Sequence, residues 1–300
     1  MYIFRAEIKE NVAARSSPLN ITAFLASHDP AAEHYAQATS NACQQTGIQF
    51  TLIRTTKDSL ENHLVSANHD PTIHGIMIYY PVFGDAQDQY LRNCISPEKD
   101  VEALSHLYVY NLYHNIRFLN VSGQKSLIPC TPLAIVKCLE YLNVYNLRLN
   151  YGNRLHGKCI VVVNRSEVVG RPLAAMLAND GARVFSVDIH NVQEFNRGHG
   201  LKLQRHVVLD TEFTLNNVLP LADVVITGVP GVEFKIPVDK LKEGVIAVNF
   251  SQEKNFPDAI KEKASLYVPS IGKVTIAMLQ RNLLRLHGYA HLSTVPGVSA

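Results

Sequence analysis

Apolar and polar positions change period several times along the chain. Asn20–Ser27 is a short apolar run broken by His28-Asp29-Pro30. It reads as a strand followed by a helix start, with Asp29 as N-cap and Pro30 at the first helical position. That helix runs from about Pro30 to Thr46, where Gly47 ends it. Gln49–Thr55 is a second strand. Ser59–Asn68, with Leu60, Leu64 and Val65 on one face, is a second helix. Ile73–Val82 is a third strand, and a helix follows through about Ile95. Ser96–Glu102 is a charged loop and Tyr108–Asn120 an irregular stretch rich in Tyr and Asn. Thr131 as cap and Pro132 at the first position open a helix whose apolar face is Ile135, Val136, Leu139 and Leu142. Asn143–Asn153 reads as a crossing between domains.

The second half repeats the alternation. Cys159–Val163 is a β-branched run, as a strand buried on both faces requires. Asn164–Gly170 turns the chain, Arg171–Asn179 carries Leu173, Met176 and Leu177 at helical spacing, and Gly181 stops that helix. Val184–Ile189 is the next strand, with Asp188 at its end. His190–Thr214 is polar and reads as a long connection. Asp223–Gly228, Gly244–Phe250 and Ser265–Pro269 are further strands. Thr275–His287 is a final amphipathic helix with Ile276, Leu279, Leu283 and Leu286 in phase, and the last ten or so residues look frayed. Strands alternating with helices predict parallel α/β sheets.

The stretch Gly157–His190 has the form of half a dinucleotide-binding unit. A turn feeding a helix N-terminus attracts a pyrophosphate through backbone N–H groups and the helix dipole. A carboxylate about 20 residues on holds the adenosine ribose diol. Asp188 supplies it, and its charge would repel a 2′-phosphate, which favours NAD over NADP. The usual glycine fingerprint is reduced to Gly170, with Asn164 at a turn position that a glycine would suit. Asn tolerates left-handed backbone better than most residues. Taken alone, these residues also allow an ordinary strand, loop and helix that binds nothing.

Composition adds limits. The chain has 300 residues, 47% apolar, with a formal charge of +2 mixed along its length. This suggests one large or two moderate domains. No basic arm or acidic tail argues for nucleic acid, and no apolar run for a membrane span. The start MYIFRAEIKE lacks a signal peptide's apolar core, so export is not expected. The five cysteines form no CxxC pair and the 13 histidines no HExxH. Reduced thiols in a cytoplasmic protein, and no metal, are the expectation.

Seven segments, in order, then carry a family likeness: HDPAAEHYAQAT (28–39), GIMIYYPVFGDAQDQYL (75–91), PEKDVEAL (97–104), PCTPLAIVK (129–137), NRSEVVGRPLA (164–174), ADVVITGVP (222–230) and GKVTIAML (272–279). The chain resembles the methylenetetrahydrofolate dehydrogenase/cyclohydrolase family, and within it the fungal monofunctional, NAD-dependent branch. The resemblance implies an α/β protein of two domains: a folate-binding catalytic domain, 1–148 plus 275–300, and a Rossmann-like NAD-binding domain, 149–274. The last helix would return to the first domain, and folate and cofactor would meet in the cleft. It implies NAD-dependent oxidation of 5,10-methylenetetrahydrofolate in one-carbon metabolism, without metal, by a homodimer whose partners are tetrahydrofolate derivatives.

The resemblance also implies site residues. Tyr35 matches the tyrosine of the family's Tyr-x-x-x-Lys and would pack on the folate rings. The lysine position is Thr39, and the glutamine of its Val-Gln-Leu-Pro motif is Tyr79. Both cyclohydrolase residues are therefore replaced together. Lys99-Asp100-Val101-Glu102-Ala103 stands for Lys-Asp-Val-Asp-Gly, so Glu102 would accept hydrogen bonds from the pterin, with Asp100 beside it. Cys130 would line the cleft, with Pro269 and Thr275 on the folate side. Asn164, Arg165, Ser166, Val169, Gly170 and Asp188 would hold the cofactor, with Thr227, Gly228 and Pro230 near its ribose and nicotinamide. The C-terminal Pro-Gly-Gly-Val-Gly-Pro-Met-Thr is altered, and Lys273 is new there. Two other readings stay open: a bifunctional enzyme in which His34 or Lys273 replaces the lysine, and a non-catalytic folate- or NAD-binding protein.

Overall fold

The computed structural model describes residues 2–27, 29–119, 123–197 and 205–293. His28, part of the expected 190–214 connection and most of the expected frayed end lie outside the described residues. The chain forms two compact units. The first comprises Met1–Val109, Phe118–Cys130 and Lys273–Ala300, the second Tyr110–Arg117 and Thr131–Gly272. The expected division at 148 differs from this one over residues 131–148, which include most of α6, and over Tyr110–Arg117.

In chain order the first elements are α1 (Tyr2–Ala13), β1 (Asn20–Leu25), α2 (Pro30–Thr46), β2 (Gln49–Arg54), α3 (Lys57–His69), β3 (Gly75–Ile78) and α4 (Ala86–Cys94). Helices α5 (His106–Tyr113) and α6 (Cys130–Tyr141) carry the chain between the units. The strands form a parallel sheet in the order β2-β1-β3. Asp29 accepts the Ala31 N–H and Gly47 closes α2 at φ +81°, as expected. Helix α3 buries Leu60, Leu64 and Ala67, while Val65 is exposed.

The second unit continues with β4 (Cys159–Val163), α7 (Gly170–Asn179), β5 (Arg183–Val187), β6 (Val192–Asn196), β7 (Val207–Thr211), α8 (Leu215–Val218), β8 (Val224–Thr227), β9 (Ile246–Asn249), α9 (Ile260–Lys263) and β10 (Leu266–Val268). Its sheet has the order β10-β9-β8-β4-β5-β6-β7. The first five strands are parallel, and β6 and β7 run antiparallel to their neighbours. Helix α7 buries every residue except Arg171, which its all-round small and apolar sequence anticipates. The final helix, α10 (Gly272–Ser293), belongs almost wholly to the first unit.

Three expectations are corrected, and one element had no forecast. The 190–214 stretch contains two strands, and 108–120 begins in helix α5. The opening residues form α1, which carries no clear apolar stripe and buries only Ile8. Helix α6 starts at Cys130, so Thr131 lies inside it rather than capping it. No helix among the described residues is long and apolar enough to cross a membrane.

Candidate active site

In the first unit a carboxylate is built against the free edge of the three-stranded sheet. The Ile76 N–H donates to Lys99 O at 2.7 Å, and Ile76 bridges Asp100 in parallel. Residues 99–102 are thereby laid along β3. Lys99 anchors the start, its Nζ donating to Ala67 O (3.0 Å) and Asp70 O (2.6 Å) at the C-terminal end of α3. A cation is favoured there by the helix dipole. Asp100 is buried and its Oδ2 accepts the Ser105 N–H at 2.8 Å. Burial raises its pKa to about 6. Glu102 comes next, and its Oε2 accepts the Ile78 N–H of β3 at 3.1 Å. Burial pushes this carboxyl up to about 8, with the nearby Asp100 charge adding.

Around Glu102 the chain gathers two aromatic rings and a thiol. Tyr35 of α2 meets Tyr79 edge to face, centroids 5.9 Å apart at 87°. Burial raises the Tyr35 phenol well above its ordinary value, with Cys130 and Glu102 adding to the effect. The Cys130 thiol donates to Val101 O at 3.1 Å and is likewise raised by burial. Asn282 of α10 donates to Val101 O (3.0 Å) and Ile128 O (3.2 Å), fixing both sides of this group. Tyr35, Tyr79, Glu102 and Cys130 are thus brought together. The Asp100 carboxylate is turned into its own loop instead. Thr275 is buried in the first turn of α10 and Lys273 is exposed. Pro269 is exposed and belongs to the second unit.

In the second unit the β4–α7 turn is shaped by one residue with positive φ. Asn164 adopts φ +91°. Its Nδ2 donates to Gly228 O at 2.6 Å and its Oδ1 accepts the Ser166 N–H at 3.0 Å, tying the ends of β4 and β8. A Cβ on Gly170 would lie 1.6 Å from Asn164 O, and one on Gly228 would lie 1.9 Å from the Phe250 ring. Both glycines are demanded by close approach. Ser166 receives the Gly170 N–H on Oγ (3.4 Å) and the Arg171 N–H on its carbonyl (3.0 Å). Val169, at the N-cap of α7, makes no side-chain cap. Asp188 follows β5, is exposed, and accepts the Ile189 N–H at 2.9 Å.

This constellation fits a dinucleotide: a tight turn, a helix N-terminus, and a carboxylate at the end of the second strand. Two expected binders have other work. Arg165 spends its guanidinium on Ser186 and Asn191. Thr227 is buried and donates to Asn255 Oδ1 at 3.1 Å. Pro230 is exposed just beyond β8.

The family model described as the tetrahydrofolate dehydrogenase/cyclohydrolase catalytic domain matches residues 3–102, and the model of that family's NAD(P)-binding domain matches residues 129–198. A methylenetetrahydrofolate dehydrogenase [NAD(+)] of Schizosaccharomyces pombe is 56% identical over 288 residues, 95% of this chain and 90% of the relative. The chain belongs to the tetrahydrofolate dehydrogenase/cyclohydrolase family. A solved structure of the NAD-dependent 5,10-methylenetetrahydrofolate dehydrogenase from Saccharomyces cerevisiae superposes with a TM-score of 0.93 at 50% identity, covering 98% of this chain and 96% of that one. A family member from Methanosarcina barkeri named bifunctional protein FolD is 30% identical over 298 residues, 93% of this chain and 89% of the relative.

Within the family frame, several residues that shape the sites gave no sequence signal. Asp88 is buried and accepts the N–H groups of Val82, Phe83 and Gly84, holding the loop after Tyr79 and Tyr80. Asn255 accepts the Val229 N–H (2.8 Å) and donates to Val229 O (2.9 Å). Asn249 donates to the carbonyls of Ser251, Glu253 and Pro269. Each satisfies backbone groups that strand ends leave over, and an isolated Asp or Asn in a sequence looks the same whether or not it does so.

Proposed function

We infer that the protein oxidises 5,10-methylenetetrahydrofolate to 5,10-methenyltetrahydrofolate in one-carbon metabolism, using NAD and without cyclohydrolase activity. The likeness, over nearly the whole chain, to dehydrogenases named for NAD carries this reading. The first unit is the folate-binding part and the second the NAD-binding part. Glu102 accepts hydrogen bonds from the pterin amino and ring N–H groups, a two-point anchor for a carboxylate. Tyr35 packs on the folate and Tyr79 closes the wall behind it. Cys130 lines the site as a neutral thiol, and Thr275 borders the folate side. Asp100 shapes the loop that presents Glu102.

On the other side, the Asn164–Gly170 turn with Ser166 and Val169 receives the pyrophosphate, and Asp188 holds the ribose diol. Gly228 and Pro230 let backbone approach the nicotinamide, while Thr227 and Arg165 position these elements from within. NAD supplies C4 of its nicotinamide as the hydride acceptor. Loss of hydride from the one-carbon bridge leaves a cation shared by two folate nitrogens, so no side chain has to remove a proton from carbon. The protein's contribution is orientation. Hydrolysis of the product would need a proton-transfer group where Thr39 stands. Its hydroxyl donates to Tyr35 O at 2.9 Å, closing on its own helix. The neighbouring Tyr79 phenol is pushed upward by burial, away from neutral titration.

The protein is read as a cytoplasmic homodimer. Its five cysteines are all free thiols, which suits a reducing compartment. Initial rates with methylenetetrahydrofolate and NAD or NADP test the reaction, alongside hydrolysis of methenyltetrahydrofolate. Preference for NAD and no hydrolysis are expected. Asp188→Ser should lower kcat/KM for NAD by about 10- to 100-fold, the loss of a charge-assisted hydrogen-bond pair. Turnover with NADP in preference to NAD would refute the role given to Asp188.

A further inference from the structure

Arg165 occupies an unusual position for a basic residue in a dinucleotide turn. It leaves the β4–α7 turn and reaches the hairpin joining β5 to β6. Its Nε donates to Ser186 Oγ (3.1 Å), Nη1 to Asn191 Oδ1 (2.7 Å), and Nη2 to Ser186 O (2.5 Å) and Asn191 O (3.1 Å). All three guanidinium nitrogens are engaged. Asp188 stands close enough to act on Arg165 electrostatically.

The antiparallel return of β6 makes this arrangement. Val187 pairs with Val192, and the Asp188 N–H donates to Asn191 O at 3.0 Å. Ile189 and His190 are left as an exposed tip. Asn191 therefore faces Asp188 across the turn and accepts from Arg165 with both its backbone and side-chain oxygens. Ser186 is fully buried, so its two acceptors are fixed by the strand. The Asn191 side chain is exposed and is the removable part.

We propose that Asn191 is a specificity-determining, positioning residue: it clamps Arg165 onto the β5–β6 hairpin, which holds Asp188 in place and withholds the guanidinium from any phosphate on the adenosine ribose. The proposal rests on the NAD reading above and extends it. Discrimination then has two parts. Asp188 repels a 2′-phosphate, and Arg165, whose fork is suited to bidentate phosphate binding, is already occupied.

The test separates binding from turnover. Calorimetry with adenosine 2′,5′-bisphosphate and with AMP reads the affinity ratio in wild type, Asn191→Ala, Asn191→Asp and Asn191→Ala/Arg165→Leu. Asn191→Ala should shift the ratio toward the bisphosphate by about tenfold, the worth of one new charge-assisted hydrogen bond. Asn191→Asp, which keeps the acceptor, should restore the wild-type ratio, and Arg165→Leu should abolish the gain. The ratio of kcat/KM for NADP over NAD should move in parallel through KM, with the KM for folate unchanged. An unaltered ratio in Asn191→Ala, or a gain that survives Arg165→Leu, would overturn the clamp while leaving the NAD reading intact. Wild type that binds neither nucleotide and turns over neither cofactor would overturn both.

Discussion

Glu102 is held with its proton at a pH where a free carboxylate has long since lost it. The folded value is about 8 for Glu102 and about 6 for Asp100, against roughly 4 for either group in an unfolded chain. Between those values the native state binds more protons than the unfolded one, so stability falls as pH rises. Their contribution is complete below about pH 4 and is lost through 6 for Asp100 and 8 for Glu102. Glu102→Gln removes the larger part. Urea unfolding should show the variant gaining on wild type between pH 5 and pH 9, and an unchanged difference would show that Glu102 is not strained. Function should run the other way, since pterin N–H donors need the ionised acceptor. The KM for methylenetetrahydrofolate should fall in wild type as pH rises through 8, and should be flat and about tenfold higher in Glu102→Gln. Glu102 is singled out in the sequence only by the family resemblance, since as part of a charged loop it reads as solvated. The Asn282 and Asp88 that hold its surroundings are not, because their partners are backbone groups far along the chain or in a loop that nothing in the sequence marks.

The β4–α7 turn shows what an element's sequence reveals and what it conceals. A strand, a turn with Asn in place of glycine, and a helix could be read directly. Asn164 at φ +91° and the close approach at Gly170 bear this out. The β6–β7 strands could not be read. Only Val192 and Phe195 of β6 are buried, and Val207–Asp210 of β7 are exposed, so neither strand has the apolar run that marks a buried one. Without β6 the Asn191 contacts of Arg165 are invisible, and a contact to the cofactor is the natural guess. Two glycine substitutions test the element. At Gly170 the clash is with backbone, so Gly170→Ala should weaken AMP binding and lower Tm, with no side-chain change able to rescue it. At Gly228 the clash is with the Phe250 ring. Gly228→Ala should cost about 1–3 kcal/mol, and Phe250→Ala in that background should recover part of it. A double-mutant cycle by thermal unfolding measures the coupling, and additive costs would sink the argument.

The first unit is discontinuous, and three segments of chain must meet to make it. The return of the last helix was legible from the resemblance, whereas the transfer of α6 to the second unit was not, since periodicity says which face a helix buries but not against what. Helix α10 joins by polar contacts as well as by its apolar stripe. Gln280 donates to Thr46 Oγ1 at 3.1 Å, Tyr289 to Lys125 O at 2.9 Å, and Arg281 pairs with Glu7 at 3.1 Å. Asn282 is 1% exposed and its amide serves the carbonyls of Val101 and Ile128. Asn282→Leu removes the donor, leaving Ile128 O without it and Val101 O with only the weaker Cys130 thiol, a cost of about 1–3 kcal/mol in all. Asn255→Leu strips the Val229 N–H and the Thr227 hydroxyl of their partner and leaves Val229 O with only the Ser251 hydroxyl, within the second unit. Hydrogen exchange on the two full-length variants should therefore give opposite maps. Asn282→Leu should expose amides of β1 and β3 first and leave AMP affinity unchanged. Asn255→Leu should expose β8 and β9 and weaken AMP. Loss of protection across both sheets in either variant would mean that the two units unfold as one cooperative body, and the mutational costs would then have to be read against the whole chain.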